Sequence, residues 1–268
     1  MKKNDFVVLK FGGSVITDKE KPFMARISVI DRLAREVSKY KGKMIIIHGG
    51  GSFGHPVAYK YKIKNGYRRQ NQLIGFAKTH SAMQKLNIIV TQRLIKYGVP
   101  AVSVPPVSAT LSQDGIIKKI EYETIERMLN MGLVPVLYGD TVLDMNRGFT
   151  IVSGDQIASH LSIKFNATRL IFVLDVDGLF TSDPHKTPKK AKIIEKLSVE
   201  SLKKTTVFER RGGIDVTGGI AEKVKWIIPV AEKGIPVILL NGNVPRRLEK
   251  AMAGEKIVGT YIYAQNLK

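Results

Sequence analysis

The stretch "MIIIHGGGSFGH" (residues 44–55) joins a run of aliphatic residues to a loop that contains four glycines. A short apolar run bounded by glycines predicts a buried strand that ends in a tight loop. One turn needs one or two glycines, so Gly49, Gly50, Gly51 and Gly54 indicate that a large group approaches the backbone closely. Exposed backbone N–H groups at the start of a helix bind anions. We therefore expect an anion-binding loop after this strand.

The N-terminal stretch "LKFGGSVITDK" (residues 9–19) repeats the pattern of a strand followed by glycines, here with a lysine on each side. The spacing is not that of a P-loop. The stretch fits either a phosphate-binding loop or a tight turn with surface lysines. Two such loops on neighbouring strands would face a common cleft and hold a donor and an acceptor phosphate. The residues assigned to this loop are Lys10, Gly12, Gly13, Ser14 and Lys19.

Short aliphatic runs alternate with amphipathic stretches along the whole chain, which predicts an α/β fold with a mainly parallel sheet and helices on both faces. Ligands bind such sheets at the carboxyl ends of the strands. We expect one domain, in which a break in composition near Lys164–Arg169 separates an N-terminal lobe (about 1–167) from a C-terminal lobe (about 168–268). The predicted strands are 6–11, 44–48, 101–104, 133–139, 169–175, 235–240 and 255–262, the helices are 26–40, 71–97, 121–131, 154–165 and 220–234, and a hairpin covers 141–152.

The motif "VSGDQIA" (residues 152–158) predicts the start of a helix. Ser153 suits the N-cap, and the helix dipole favours the negative charge of Asp155 in the first turn. This carboxylate either serves the helix alone or orients the loop lysines through charge-assisted hydrogen bonds.

Two further motifs, "VLDVDGLFTSDP" (173–184) and "DVTGGIAEKVKW" (215–226), combine acidic or basic residues with glycine turns. Asp175 and Asp183 follow a strand and suit a nucleotide ribose or the water shell of magnesium, although both sequences also form ordinary turns. Gly218 precedes a helix, and Lys223 lies one turn inside it, within reach of a β- or γ-phosphate.

The composition is that of a globular protein without cysteine, which excludes disulfides, thiolate metal sites and cysteine nucleophiles. The formal charge of +20 is compatible with nucleic-acid binding, with attraction of small anions, or with the lysine-rich surface of proteins from hot environments. No helix-turn-helix, zinc-finger or aromatic RNA-binding signature is present. The apolar runs are shorter than the roughly 20 residues of a membrane span, and no signal peptide is evident, so we expect a cytoplasmic protein.

The ordered motifs "KFGGSVITD", "HGGGSFGH", "SGDQIA", "LDVDGLFTSDP" and "TGGIAEKV" resemble those of the amino acid kinase superfamily. The resemblance covers almost the whole chain and implies an α-β-α sandwich with an open, mainly parallel central sheet. Within the superfamily, "GGGSFGH" and "GGSVITDK" are similar to the isopentenyl phosphate kinase family of the archaeal mevalonate route. That family uses ATP and magnesium to convert isopentenyl phosphate to isopentenyl diphosphate.

The resemblance also implies a role for each matching residue and a homodimeric assembly. The catalytic set is Lys10, Lys19, His55 and Asp155. The ATP site comprises Lys10, Gly12, Gly13, Ser14, Gly51, Asp175, Asp183, Gly218 and Lys223, the substrate site comprises Gly50, His55 and Gly154, and no residue is a direct metal ligand.

The chemistry agrees with these roles, because transfer between two anionic phosphates needs cations and N–H donors rather than a strong base. An anionic phosphate can hold a histidine with a pKa of about 6.5 in its protonated form. His55 would therefore grip the acceptor, whereas His48 fits a buried strand end. Phe76 or Met83 of the long helix would line an apolar tail.

Other functions remain open from the sequence. The acceptor could be another alkyl phosphate, a phosphonate such as fosfomycin, UMP or a carboxylate, although no acidic cluster is placed to bind an amino-acid ammonium group. A protein of another class, a non-catalytic sensor or nucleic-acid-binding protein with the same fold, is compatible with the charge. The expected partner is a small-molecule substrate, with no nucleic acid and no membrane.

Overall fold

The computed structural model describes residues 5–182, 191–208 and 219–264, without side-chain detail for 205–208 and 219–221. Its centre is an eight-stranded sheet, in which all but one of the described strand pairs are parallel. The expected mainly parallel sheet is confirmed. The strands are β1 (Phe6–Phe11), β2 (Lys43–His48), β3 (Ala101–Ser103), β6 (Val134–Tyr138), β9 (Arg169–Leu174), β10 (Lys196–Ser198), β11 (Val237–Asn241) and β12 (Thr260–Tyr263), in the spatial order β10-β12-β11-β9-β1-β2-β6-β3.

Strand β1 is the point at which the chain changes direction across the sheet. It pairs in parallel with β2 on one side and with β9 on the other, so that Phe11 is level with both His48 and Val173. The carboxyl ends of the three strands therefore lie side by side. Ligands bind at such switch points of open α/β sheets.

Helices cover both faces of the sheet, which gives the predicted α-β-α sandwich. Alternate residues of β1 enter opposite cores: Val8 belongs to the apolar cluster on one face of the sheet, and Leu9 belongs to the cluster on the other. The helices are α1 (Gly13–Ile16), α2 (Ile27–Ser38), α3 (Gly51–Lys60), α4 (Asn71–Lys96), α5 (Pro106–Ala109), α6 (Tyr122–Met131), α7 (Gly154–Lys164), α8 (Val199–Phe208), α9 (Gly219–Glu232) and α10 (Arg247–Ala253), and one 3₁₀ turn covers Ile63–Asn65.

A second, four-stranded sheet packs beside helix α4. It contains the predicted hairpin, now β7 (Asp140–Asp144) and β8 (Gly148–Val152), which confirms that prediction. It also contains an unpredicted hairpin of β4 (Thr110–Gln113) and β5 (Ile116–Ile120), in the order β5-β4-β7-β8.

The proposed lobe boundary near residue 167 falls between α7 and β9. The central sheet continues across it, because β1 pairs directly with β9. The two lobes of one domain therefore remain a proposal. Within the described residues, no helix is long and apolar enough to cross a membrane.

Candidate active site

A cavity of about 950 Å³ opens at the carboxyl ends of β1, β2 and β9. It has the size typical of ligand pockets and lies where the strand order predicts a site. Every predicted site residue within the described ranges lines it. These residues are Lys10, Gly12, Gly13, Ser14, Lys19, Gly50, Gly51, His55, Gly154, Asp155, Asp175 and Lys223.

The two glycine loops lie in direct contact rather than across a gap. A Cβ atom at Gly13 would lie 2.3 Å from the backbone nitrogen of Gly51, and one at Gly49 would lie 2.9 Å from the nitrogen of Gly13. Gly51 also has φ of +46°, a conformation that favours glycine. Both loops line one cavity, as expected from the sequence, and they also pack directly on each other. Packing of one loop on the other accounts for these three glycines.

Thr17 joins the same two loops through its buried hydroxyl group. Its Oγ1 donates to the carbonyl oxygen of Gly13 at 2.7 Å and accepts from the backbone N–H of Ser52 at 3.0 Å. The side chain is only 1% exposed, so water does not replace either bond. The threonine thus fixes the start of α1 against the start of α3.

The remaining glycines of the second loop pack against α4. A Cβ at Gly50 would lie 3.0 Å from Sδ of Met83, and one at Gly54 would lie 2.6 Å from it. Gly154 faces the end of β2, since its Cβ would lie 3.0 Å from the carbonyl oxygen of His48. The close approach inferred from the sequence is thus made by the protein itself.

Asp155 is held between two lysines at the floor of the cavity. One carboxylate oxygen lies 2.6 Å from Nζ of Lys10, and the other lies 3.2 Å from Nζ of Lys223. Ser153 caps the helix as predicted, since its Oγ accepts from the N–H of Gln156 at 3.1 Å. Asp155 therefore contacts one of the two loop lysines, Lys10, together with Lys223, whereas the other loop lysine, Lys19, does not pair with it.

Burial controls the charges of this cluster. Burial lowers the pKa of Lys10, the charge of Asp155 opposes that shift, and the charge of Lys223 adds to it. Burial raises the pKa of Asp155, but the two lysines outweigh this effect and hold it below the usual value. The carboxylate is thus ionised and binds two cationic side chains that reach the cavity.

Lys19 pairs with Asp175, a contact that the sequence did not predict. Their charged atoms are 2.6 Å apart, and the lysine side chain is 65% exposed. Burial raises the pKa of Asp175, but the hydrogen bond and charge of Lys19, with a further bond from Ser14, lower it overall. Asp175 thus connects the first glycine loop and the Lys19 loop to the end of β9.

His55 lies in the second turn of α3 and lines the cavity with an exposed side chain. The neighbouring Phe53 is buried, and its ring packs edge-on against Phe23. Partial burial and the charges of Lys10 and Lys223 lower the pKa of His55. The imidazole therefore favours its neutral form until an anion arrives.

His48, in contrast, is a buried strand-end residue, as predicted. Its Nδ1 lies 3.1 Å from the carbonyl of Gly49, its Nε2 lies 3.1 Å from the amide of Asn87, and its ring stacks on Tyr138. Burial lowers its pKa to about 4.

Only some of the apolar residues that line the cavity were predicted from the sequence. Met83 lines the cavity, whereas Phe76 packs on Phe149 instead. Thr79 and Ile151 also line it. Their positions depend on how α4 and the second sheet pack. The 3–4 spacing of Phe76, Thr79 and Met83 does indicate that Thr79 shares one face of the helix with the two predicted residues.

Buried Asp140 also lines the cavity and was not predicted. Its Oδ2 lies 2.8 Å from Nδ1 of His80 on α4. This bond raises the pKa of His80, and burial raises that of Asp140. The pair fixes the second sheet to α4.

Two assigned residues, Asp183 and Gly218, lie outside the described residues. Within the described ranges, no group of three or more His, Cys, Asp or Glu side chains is arranged to hold a metal ion.

The comparisons with known proteins agree with this geometry. The model of the amino acid kinase family matches residues 5–241. The isopentenyl phosphate kinase of Methanothermobacter thermautotrophicus is 37% identical over 265 residues, which cover 96% of this chain and 98% of that protein. The isopentenyl phosphate kinase of Methanocaldococcus jannaschii is 35% identical over 266 residues, which cover 95% and 97%. A solved structure of isopentenyl phosphate kinase matches with a TM-score of 0.84 and 34% identity over 96% of this chain and 99% of that chain.

Proposed function

The chain belongs to the amino acid kinase family, and we propose that it transfers the γ-phosphoryl group of ATP to isopentenyl phosphate, forming isopentenyl diphosphate and ADP. The observation that carries this proposal is the presence of His55 and the Lys10–Asp155–Lys223 cluster in one cavity. The relatives named isopentenyl phosphate kinase support the choice of acceptor, because they match this chain over nearly its full length.

The reaction joins two anions, so the protein must supply positive charge and hydrogen-bond donors. A phosphate oxygen of the acceptor attacks the γ-phosphorus, and the bond to the β–γ bridging oxygen of ATP breaks. The acceptor carries close to two negative charges, and its oxygen is already a nucleophile. A strong general base is therefore not required.

We assign ATP to the first glycine loop and the end of β9. The N–H groups of the loop and the two lysines bound by Asp155 suit the β- and γ-phosphates. Lys19 is the exposed cation next to this cluster and suits the charge that develops on the transferring group. The proposed ATP residues are Lys10, Gly12, Gly13, Ser14, Gly51, Asp175 and Lys223, together with Asp183 and Gly218 outside the described residues.

The acceptor phosphate is assigned to the second loop, with Gly50, His55 and Gly154 as its partners. His55 lies on the same cavity as Lys10 and Lys223, and its lowered pKa favours the neutral ring before binding. A dianionic phosphate raises the pKa of an adjacent imidazole, so the ring gains a proton as it binds. The apolar tail would extend toward Met83 and Ile151 on the same cavity.

Magnesium fits this site as an ion carried by ATP. Mg²⁺ usually keeps several waters and binds one or two carboxylates plus substrate phosphates. Asp175 is an ionised carboxylate on the cavity wall and suits the water shell of the ion. The ion would neutralise charge on the β- and γ-phosphates.

We further propose a cytoplasmic homodimer that acts in isoprenoid biosynthesis of the archaeal mevalonate type, without a nucleic-acid or membrane partner. The resemblance of the motifs supports the assembly, and the archaeal relatives named isopentenyl phosphate kinase support the role in isoprenoid biosynthesis. Analytical ultracentrifugation at micromolar concentration tests the assembly, and a monomer would contradict it.

A coupled assay of ADP release tests the acceptor directly. The purified chain is supplied with ATP, Mg²⁺ and, in separate reactions, isopentenyl phosphate, UMP, aspartate, glutamate or fosfomycin. We expect kcat/KM to be highest for isopentenyl phosphate, with the diphosphate visible by phosphorus NMR. Equal or faster turnover of another acceptor would overturn the assignment, and absence of turnover with salt-sensitive RNA or DNA binding would favour the non-catalytic alternative.

A further inference from the structure

The acidic residues of the chain, unlike the basic ones, are unevenly distributed along the sequence. Lysine and arginine are spread along the sequence, but no aspartate or glutamate occurs between Glu36 and Asp114. These 77 residues contain twelve lysines and arginines. The stretch includes α3, which carries His55, and α4, which lines the cavity. Two of the three proposed acceptor residues, Gly50 and His55, and the helix α4 therefore come from a segment without acidic residues.

Five of these cations lie within residues 60–69, from the last residue of α3 to the connection that leads to α4, which we call the cationic loop. All five of its lysine and arginine side chains belong to exposed residues. In the described part of the chain, Lys64 alone among them forms an ion pair, with Glu222 at 2.8 Å. The five residues are Lys60, Lys62, Lys64, Arg68 and Arg69.

A single buried side chain, Gln72 of α4, fixes the shape of the cationic loop. Its Oε1 accepts from the backbone N–H groups of Arg68 at 2.8 Å and Arg69 at 3.0 Å. Its Nε2 lies 3.1–3.3 Å from three loop carbonyl oxygens, which belong to Tyr61, Lys62 and Gly66. The charges thus project from a loop with a defined backbone rather than from a free segment.

The cationic loop borders the cavity on its acceptor side. Pro56 and Ala58 of α3 line the cavity, and the loop begins two residues later. At its other side, Lys64 reaches Glu222, which lines the cavity and precedes Lys223. The loop therefore lies at the opening between α3 and α9, beside His55.

We propose that the cationic loop is an electrostatic guide that draws the phosphate-bearing acceptor into the cavity on the His55 side. This inference rests on the proposed function and adds a role for residues that are outside the reacting site. A cluster of like charges at the mouth of a cleft raises the local concentration of an oppositely charged ligand and the rate of its capture. The loop acts on capture rather than on the chemical step, so it should change kcat/KM and leave kcat unaltered.

The test compares two variants with the same net charge. The loop variant carries Lys60→Gln, Lys62→Gln, Arg68→Gln and Arg69→Gln. The control variant carries Lys118→Gln, Lys119→Gln, Lys196→Gln and Lys250→Gln, which are exposed residues that do not line the cavity. Steady-state rates are measured with varied isopentenyl phosphate at saturating ATP, and with varied ATP at saturating isopentenyl phosphate. Each series is repeated at several salt concentrations, from low to high.

For the loop variant we expect kcat/KM for isopentenyl phosphate to fall about five- to tenfold at low salt, with a flatter salt dependence than wild type. Its kcat should stay within about twofold of wild type, and the double variant Lys62→Gln/Arg68→Gln should show about half of the logarithmic effect. The control variant should resemble wild type.

Equal kcat/KM values for the loop and control variants would overturn the inference, as would a loss confined to ATP or expressed mainly in kcat. In each of those cases the wild-type chain still phosphorylates isopentenyl phosphate, so the proposed function stands. A wild-type chain without that activity would instead refute the proposed function itself.

Discussion

The ammonium nitrogen of Lys10 lies 2.6 Å from a carboxylate oxygen of Asp155, and both side chains are almost completely buried. They come from different elements, the end of β1 and the first turn of α7. Lys223 binds the other oxygen of the same carboxylate. This arrangement places two lysine side chains at the cavity, and the single carboxylate of Asp155 positions both of them.

Replacing Asp155 with asparagine preserves the shape of the side chain and removes its charge. Since Asp155 raises the pKa of Lys10 against the effect of burial, the variant should lower that pKa further. We expect kcat to fall on the order of 10²-fold. The basic limb of the pH–kcat profile should also move to lower pH, because Lys10 loses its proton earlier. Asp114→Asn, at an exposed residue, is the control, and identical pH profiles for wild type and Asp155→Asn would contradict the role.

The contact between the glycine loops predicts unequal costs for two similar substitutions. In Gly13→Ala the new Cβ meets the rigid backbone of Gly51 at 2.3 Å, whereas in Gly50→Ala it meets the flexible side chain of Met83 at 3.0 Å. We expect Gly13→Ala to lower the free energy of unfolding by more than about 3 kcal/mol and Gly50→Ala by about 1 kcal/mol. Urea unfolding measures both, and equal losses would show that the loops do not pack as described.

Thr17 predicts a difference between two substitutions that preserve most of its volume. Thr17→Val leaves the buried N–H of Ser52 without its partner, and the carbonyl of Gly13 keeps only the bond from the backbone N–H of residue 17, while Thr17→Ser retains the hydroxyl. The valine variant should lose about 1–3 kcal/mol of unfolding free energy, and the serine variant less than half of that. Denaturant titration measures the free energy of unfolding of the three proteins, and the comparison holds if the free energy depends on denaturant concentration with the same slope in each. A valine variant as stable as wild type would show that the Thr17 hydroxyl does not join the two loops.

His55 predicts proton uptake on acceptor binding. Its pKa is lowered in the free protein by burial, Lys10 and Lys223, and a bound dianion raises it. Between the two pKa values, binding takes up a proton, so affinity for isopentenyl phosphate should fall as pH rises through that window. Calorimetry in buffers of different ionisation enthalpy counts the protons.

His55→Gln is the matched variant, because it keeps a hydrogen-bond donor that does not titrate. The proton released or gained by the substrate phosphate itself is common to both proteins. Wild type should therefore take up more protons than His55→Gln at neutral pH. The same proton count in both would remove His55 from the phosphate site.

The elements with strong periodicity could be predicted from the sequence. The apolar runs of β1, β2 and β9 are buried on both faces, and the 3–4 spacing of α2 reflects its single buried face. Strands β4 and β5 were missed, because β4 is mostly polar, β5 has only five residues, and each is paired to a neighbour, β4 to β7 and β5 to β4. Tertiary pairing overrides weak local preference there.

The residues at the site were predictable because they cluster around strand ends and helix starts. The pairing of Lys19 with Asp175 was not predictable, since these residues are 156 positions apart and meet only through the strand order. The structural reason for the glycines in the two loops could not be predicted either. Close packing of Gly13 on Gly51 and a phosphate-binding loop require the same residue type, so the sequence does not distinguish them.

The most direct test of the acceptor site is a crystal structure of the chain with isopentenyl phosphate and a non-hydrolysable ATP analogue. We predict that the acceptor phosphate lies within about 3 Å of a ring nitrogen of His55, with the terminal phosphate of the analogue on the side of Lys10 and Lys223. An acceptor phosphate beyond hydrogen-bonding distance of His55 would contradict the assignment and leave the chain as a kinase of this family with a different acceptor.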